Sequence, residues 1–134
     1  MKNVTLFLIL FMTGIGVFSQ NLIGYNYWEI KKYMIEHHKD MNYNNVTNNR
    51  FRYLKYSSSS DSQTLLFFLN TDSVCQSMRL ICDQSTIPEK IKEFNSSYSK
   101  SGDNRWIDNR NGKNYLIVLR EEEWSYIVTI EPDK

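Results

Sequence analysis

Residues 64–82, TLLFFLNTDSVCQSMRLIC, decide the fold class of this chain. The run Thr64–Leu69 is apolar on both faces, which is typical of a strand in the interior of a sheet. Asn70–Ser73 is a polar turn, and Val74–Cys82 then alternates between its two sides as a strand does. This stretch therefore predicts two consecutive strands joined by a turn, the first of them in the interior of a sheet.

A helix is predicted on either side of these strands. The first begins at residues 26–29, NYWE, where Asn26 and Glu29 form a variant of the capping box. Its apolar face has helical spacing and consists of Ile30, Tyr33, Met34 and His37. The second begins at residues 86–89, TIPE, a T-x-x-E capping box with proline in the first turn. Its apolar face consists of Ile87, Ile91 and Phe94.

Each helix is followed by three strand-like runs. They cover residues 51–56, 64–69 and 74–82 in the first half, and 105–108, 115–119 and 124–130 in the second. Asn111-Gly112 predicts a type I′ hairpin turn. A shift of fifty residues aligns Leu66 with Leu116 and Leu80 with Ile130. We therefore predict an α+β fold of two tandem αβββ units, about 20–83 and 84–134. The units share a mostly antiparallel six-stranded sheet, with both helices packed on one face.

Alternation along the strands predicted over residues 74–82 and 124–130 assigns their faces. We place two sets against the helices: Val74, Met78, Leu80 and Cys82, and Trp124, Tyr126, Val128 and Ile130. The opposite side is polar enough for water yet carries isoleucines, which is the composition of a surface where a partner docks. The candidate binding residues on this open sheet face are Arg79, Ile81, Ile127 and Thr129.

The two cysteines, Cys75 and Cys82, are not expected to bridge within the chain. On one extended strand they are separated by about 23 Å, whereas a disulfide needs Cα atoms within about 7 Å. Their odd spacing also predicts side chains on opposite faces. The favoured interpretation is that both cysteines are small apolar residues packed within a sheet. The alternatives are an intermolecular bridge or a reactive thiol.

The first nineteen residues indicate export. Lys2 precedes the apolar run Val4–Val17, and small residues follow, which predicts a signal peptide over residues 1–19 cleaved near Ser19/Gln20. We expect residues 20–134 to form one domain that is secreted or periplasmic. No later segment is long enough to span a membrane. The whole chain of 134 residues has a net charge of only +1, which argues against a nucleic-acid partner.

The pattern resembles the tandem αβββ modules of the beta-lactamase-inhibitor-protein type and the small outer-membrane assembly lipoproteins. The start Leu22-Ile23-Gly24 followed by residues 27–30, YWEI, is similar to the opening of such units. The end of the signal, Phe18-Ser19-Gln20, resembles that of small exported proteins of the Bacteroidota. This resemblance implies a binding role and no catalytic residues. No cysteine lies near the cleavage point, which departs from the lipoprotein members.

No motif for catalysis, metal binding or a cofactor is present. His37 and His38 are adjacent, so their side chains diverge by about 100° on a helix and cannot easily hold one metal ion. The chain has no G-x-S-x-G, no local signature for a cysteine nucleophile and no phosphate-binding loop. Residues 121–123, EEE, are expected to be a solvated hairpin tip, and most aromatic residues to face the core.

Three short motifs indicate sites of modification. Residues 45–47, NVT, and 95–97, NSS, match the N-glycosylation sequon. Residues 72–74, DSV, resemble the O-glycosylation motif of exported Bacteroidota proteins and fall in a predicted turn.

The favoured function is an exported, non-catalytic module that binds another envelope or extracellular protein through the open sheet face. We expect no catalytic residues, no metal and no cofactor. The alternative is a small-ligand binder with a pocket between the helices and the sheet. A hydrolase or thiol enzyme without a recognisable motif is the third hypothesis.

Overall fold

The computed structural model describes residues 21–44, 52–60 and 62–134. Within these ranges the elements run in the order α1 (Tyr27–His37), β1 (Met41–Asn44), β2 (Tyr53–Ser58), β3 (Gln63–Leu69), β4 (Cys75–Asp83), α2 (Ile87–Ser97), β5 (Ser99–Gly102), β6 (Arg105–Arg110), β7 (Lys113–Glu121) and β8 (Ser125–Pro132). The predicted signal peptide and the sequon at residues 45–47 lie outside the described residues.

All eight strands form one antiparallel sheet in the order β1-β2-β3-β4-β8-β7-β6-β5. The predicted α+β class and the antiparallel sheet are therefore confirmed. The hairpin of β3 and β4 reaches the middle of the sheet, where β4 pairs with β8. In the described part of the chain, each helix is followed by four strands rather than three.

The prediction of six strands was wrong because the two edge strands carry almost no apolar signal. Every residue of β5, Ser99–Gly102, is exposed. In β1, Met41 is buried while the next two residues are exposed. Edge strands in natural sheets are often short and polar, so these two read as loops in the sequence.

The two helices begin in different ways. Asn26 caps α1 in a full capping box: its Oδ1 accepts the Glu29 N–H at 2.9 Å, and Glu29 Oε1 accepts the Asn26 N–H at 3.1 Å. The T-x-x-E box predicted for α2 does not form. Residues 84–86 make a 3-10 turn that runs into α2, so Thr86 lacks the extended backbone of a capping residue. Its Oγ1 lies 2.9 Å from both Asp83 O and Tyr126 OH.

The buried hydrophobic residues form one cluster, which includes residues of both helices and of the strands. Ile30 and Met34 of α1 and Phe94 of α2 are buried in it. Buried and partly exposed residues alternate along β4 and β8. The buried strand residues are Met41, Leu54, Tyr56, Leu65, Phe67, Cys75, Met78, Leu80, Cys82, Trp106, Ile117, Leu119, Tyr126, Val128 and Ile130.

The prediction that the two cysteines point to opposite faces was wrong. Leu69 pairs with Cys75 while Phe68 pairs with Ser77, so Gln76 is an extra residue in β4. This bulge shifts the alternation by one position. Cys75 therefore lies in the core with Cys82, and each residue is 2% exposed.

The predicted type I′ turn is confirmed. Arg110 pairs with Lys113, so the β6–β7 loop has two residues. Asn111 and Gly112 both have positive φ, 53° and 78°, as this turn requires.

Candidate functional site

Pairing of β4 with β8 brings the four predicted binding residues together. Arg79 lies directly opposite Thr129, and Ile81 lies directly opposite Ile127. Residues opposite each other in an antiparallel pair project to the same face of the sheet. The four side chains therefore form one contiguous patch at the middle of the sheet, and none of them is buried.

Neighbouring strands extend this patch on both sides. Leu66 of β3 lies opposite Arg79, and Val118 of β7 lies opposite Thr129. We call the whole set the open face. It includes Tyr53, Lys55, Thr64, Leu66, Phe68, Arg79, Ile81, Ile127, Thr129, Leu116, Val118, Arg120, Arg105 and Ile107, together with the acidic residues Asp83 and Glu131, all of them partly or fully exposed.

The open face has a shallow hollow that the sequence analysis did not identify. It has a volume of about 310 Å³ and is lined by Tyr53, Lys55, Thr64, Leu66, Phe68 and Ile81. The guanidinium of Arg79 lies 5.4 Å from the centre of the Phe68 ring, so a cation stands at the edge of the hollow. The alternation of Tyr53 and Lys55 with buried Leu54 and Tyr56 was the signal that could have placed β2 in this site.

Cations are spread along one row of the open face. The register places Lys55, Leu66, Arg79, Thr129, Val118 and Arg105 opposite one another in succession. With strands about 4.8 Å apart, Lys55 and Arg79 are separated by about 10 Å across the sheet. Arg120, in the adjacent row, forms an ion pair with Glu122 at 2.8 Å. The cations of this row therefore stand among apolar residues across the middle of the open face, while Asp83 and Glu131 lie away from the row on the same face.

A cavity beside α2 is close to where the alternative hypothesis expected a ligand pocket. It has a volume of about 470 Å³, and charged side chains from α2 dominate its lining. Lys90 and Glu93 form an ion pair there at 3.0 Å. The lining residues are Gln63, Thr86, Glu89, Lys90, Lys92, Glu93 and Ser96. A second cavity, beside α1, is apolar and is described below.

The cysteines are core residues, as the favoured interpretation predicted. Burial raises the pKa of the Cys75 thiol to about 12. Burial also raises the pKa of the Cys82 thiol, although a hydrogen bond with Tyr126 opposes that shift. Because the thiolate is the nucleophile and the metal ligand, this environment works against both a reactive thiol and an intermolecular bridge.

The histidines have separate surroundings. His37 stacks on the Tyr33 ring with centroids 4.2 Å apart, and its Nδ1 lies 3.1 Å from the Tyr33 carbonyl oxygen. Burial lowers the pKa of His38, with Asp40 acting in the opposite direction. Among the described residues, no group of three His, Cys, Asp or Glu side chains could hold a metal ion.

The tryptophans divide between core and surface. Trp106 is fully buried and donates its indole N–H to Asn95 Oδ1 at 2.9 Å, so the side chain of the 95–97 sequon is engaged in a tertiary hydrogen bond. Trp28 and Trp124 are 73% and 81% exposed. The prediction that Trp124 faces the helices was therefore wrong, because β8 begins at Ser125 and Trp124 belongs to the preceding turn.

The two remaining predicted sites are surface turns. Glu122 and Glu123 lie between β7 and β8 and are exposed, which confirms the solvated hairpin tip. Asp72 and Ser73 lie between β3 and β4, where Ser73 has a positive φ of 61°. Ser73 donates its N–H to the Asn70 carbonyl and accepts the Tyr27 N–H on its own carbonyl oxygen.

None of the helices in the described part of the chain combines the length and apolar character needed to cross a membrane. The chain matches no protein-family model, and neither a curated protein nor a solved structure matches it.

Proposed function

We propose that this chain is an exported, non-catalytic module that binds another envelope or extracellular protein through the open face. The observation that carries the proposal is the pairing of Arg79 with Thr129 and of Ile81 with Ile127 at the middle of the sheet. Partly exposed isoleucines beside an exposed arginine are typical of an interface centre, where apolar residues and Arg are enriched.

The proposal requires both helices to cover the other face of the sheet, and three contacts support this. Phe94 of α2 packs against Trp106 of β6, with ring centroids 5.1 Å apart. Met34 of α1 lines one groove together with Tyr56 of β2. Leu22, just before α1, donates its N–H to Met78 Sδ of β4 at 3.3 Å. Trp106, Tyr56 and Met78 are all core residues that alternate with open-face residues.

The tandem arrangement is also part of the proposal, now as two αββββ units. The helices have the same length, 11 residues, and begin exactly sixty residues apart at Tyr27 and Ile87. Each precedes four strands in sequential order, and the two sets join through β4 and β8. Two such units build a sheet wide enough to present a continuous binding surface.

The charges of the open face indicate what the partner presents. Lys55, Arg79 and Arg105 alternate with apolar residues such as Leu66 and Val118 in one row across the open face. Asp83 and Glu131 lie toward opposite ends of the central strands on the same face. A complementary partner surface is apolar, with carboxylates placed opposite this row of cations. Such charge pairs mainly speed association, and salt screens them.

The test is capture of partners from envelope and culture fractions by the tagged protein, compared with two variants. Arg79→Glu and Ile127→Glu change side chains that point away from the core, so far-UV circular dichroism should be unchanged. Trp124→Glu is the matched control, because it removes an exposed apolar side chain that lies outside the open face.

We expect one partner to be captured by the unchanged protein and the Trp124 variant and lost by the other two. A partner captured equally by all four proteins contradicts the proposal. Loss with the Trp124 variant alone would place the binding surface at the β7–β8 turn instead.

A further inference from the structure

A second surface lies beside α1, separate from the open face. A groove of about 440 Å³ is bounded by this helix and by residues of β1 and β2. Its floor consists of Met34, Met41 and Tyr56, which are only 2%, 9% and 4% exposed. Ile35 and Tyr43 also line it and are 69% and 40% exposed. These residues adjoin one another in an apolar surface groove, and grouped apolar residues of this kind, unlike single exposed ones, mark interaction sites.

The remaining lining residues are Lys31, His38 and Lys39, and none of the described lining residues is acidic. Lys31 is held in place by aromatic rings, because its Nζ lies 4.5 Å from the Tyr43 centroid and 5.2 Å from the Tyr27 centroid. The Lys31 Nζ also donates to Tyr27 OH at 3.3 Å. The apolar groove therefore has fixed positive charge at its margin.

We propose that this groove binds a small amphiphile with a flexible apolar body and one anionic group, of the n-alkyl carboxylate class. Small-molecule sites have volumes of about 300–1,000 Å³, apolar linings and a few polar groups that orient the ligand. Methionine side chains adapt to flexible chains of varied shape. The lysines attract and orient the carboxylate. A folded protein partner would need roughly 800 Å² of matching surface on each side, which favours a small ligand in a groove of this size.

The cavity beside α2 provides an internal comparison. There, Glu89 and Glu93 accompany Lys90 and Lys92, so the charges balance, and every lining residue is polar or charged. At the position sixty residues after Met34 stands Phe94, whose ring packs against Trp106 with centroids 5.1 Å apart and does not line the cavity beside α2. The two cavities therefore differ in the character of their lining residues. We therefore expect one site for the amphiphile, beside α1.

The test is a titration of protein labelled with ¹³C at the methionine methyl groups, with octanoate as the probe. The methyl signals of Met34 and Met41 should shift and reach a plateau as octanoate is added. The signal of Met78, which is buried on the central strand β4, should stay in place. 1-Octanol is the uncharged counterpart and should bind several-fold more weakly.

Three variants separate the contributions. Ile35→Glu places an anion at the exposed margin and should weaken octanoate binding by about tenfold, equivalent to about 1.4 kcal/mol. Changing Lys31 and Lys39 together to Gln should abolish the preference for octanoate over 1-octanol. Ile127→Glu, on the open face, should leave octanoate binding unchanged, so this result is independent of the fate of the proposed partner interface.

Octanoate that leaves the Met34 and Met41 signals unmoved overturns the proposal. The proposal is also overturned if the Met78 signal shifts as much as those of Met34 and Met41. Equal affinities for octanoate and 1-octanol, or an unchanged octanoate affinity in the Ile35→Glu variant, would overturn it as well.

Discussion

The hydrogen bond between Asn95 and Trp106 links the last turns of α2 to β6, and its contribution can be measured. The Trp106 indole is fully buried, packs edge-on against Phe94 at 5.1 Å, and donates to Asn95 Oδ1 at 2.9 Å. Asn95→Ala removes that acceptor without disturbing the packing of the ring. We expect the change to lower the free energy of unfolding.

The magnitude follows from two opposing effects. Leaving a buried donor without its acceptor costs about 1–3 kcal/mol. Alanine is the better helix former, so the substitution also stabilises the helix by up to about 0.7 kcal/mol at this position. The net loss should therefore be about 1 kcal/mol, which is large relative to typical domain stabilities of about 5–15 kcal/mol.

A double-mutant cycle isolates this contribution. Trp106→Phe removes the indole N–H and keeps an aromatic ring, at a packing cost of about 1–3 kcal/mol. In that background the side chain at position 106 has no N–H that could lose its acceptor. Asn95→Ala should therefore leave the free energy of unfolding unchanged or raise it slightly. Urea unfolding followed by far-UV circular dichroism, with equal m values, is the assay. Equal losses from Asn95→Ala in both backgrounds would refute the reasoning.

Three further predictions concern the cap, the thiol and the turn. Asn26→Ala should lower the unfolding free energy by about 1 kcal/mol in urea, since it removes the cap of α1; an unchanged midpoint would contradict this. Burial raises the pKa of the Cys75 thiol from 9.0 to about 12, so folding favours the protonated thiol. The contribution of this thiol to the free energy of unfolding is complete below pH 9 and is lost as pH rises toward 12. Cys75→Ala should therefore reduce the loss of stability above pH 9, and an identical pH profile would count against it. Gly112→Ala should cost about 1–2 kcal/mol because of its positive φ; its added Cβ would meet nothing within 4 Å, so Gly112→Asn should recover part of the loss.

Local signals placed both helices, the β6–β7 turn and the alternation of the central strands. Asn111-Gly112 was decisive because the turn needs two residues of positive φ, which few residue pairs tolerate. The candidate site was predictable in part, since the alternation put Arg79 and Ile81 on one side of β4 and Ile127 and Thr129 on one side of β8. That these two pairs are direct neighbours depends on β4 pairing with β8, about fifty residues away, which no local pattern encodes.

The errors share a physical cause, namely interactions that arise only when distant segments meet. β1 and β5 are strands because β2 and β6 offer them hydrogen bonds, and their own residues show little strand pattern. Cys75 faces the core because pairing with β3 inserts a bulge at Gln76. Thr86 bonds to Tyr126 rather than to its own helix because β8 passes within reach.

Residue order alone thus established the α+β class, the positions of the helices and the alternation over most of β4 and β8, because helix caps, tight turns and apolar periodicity act over a few residues. Tertiary contacts decided the width of the sheet, the hollow beside Arg79 and the groove beside Met34. Each of these depends on which strands and helices become neighbours, and that choice is made by burial of the whole apolar surface together.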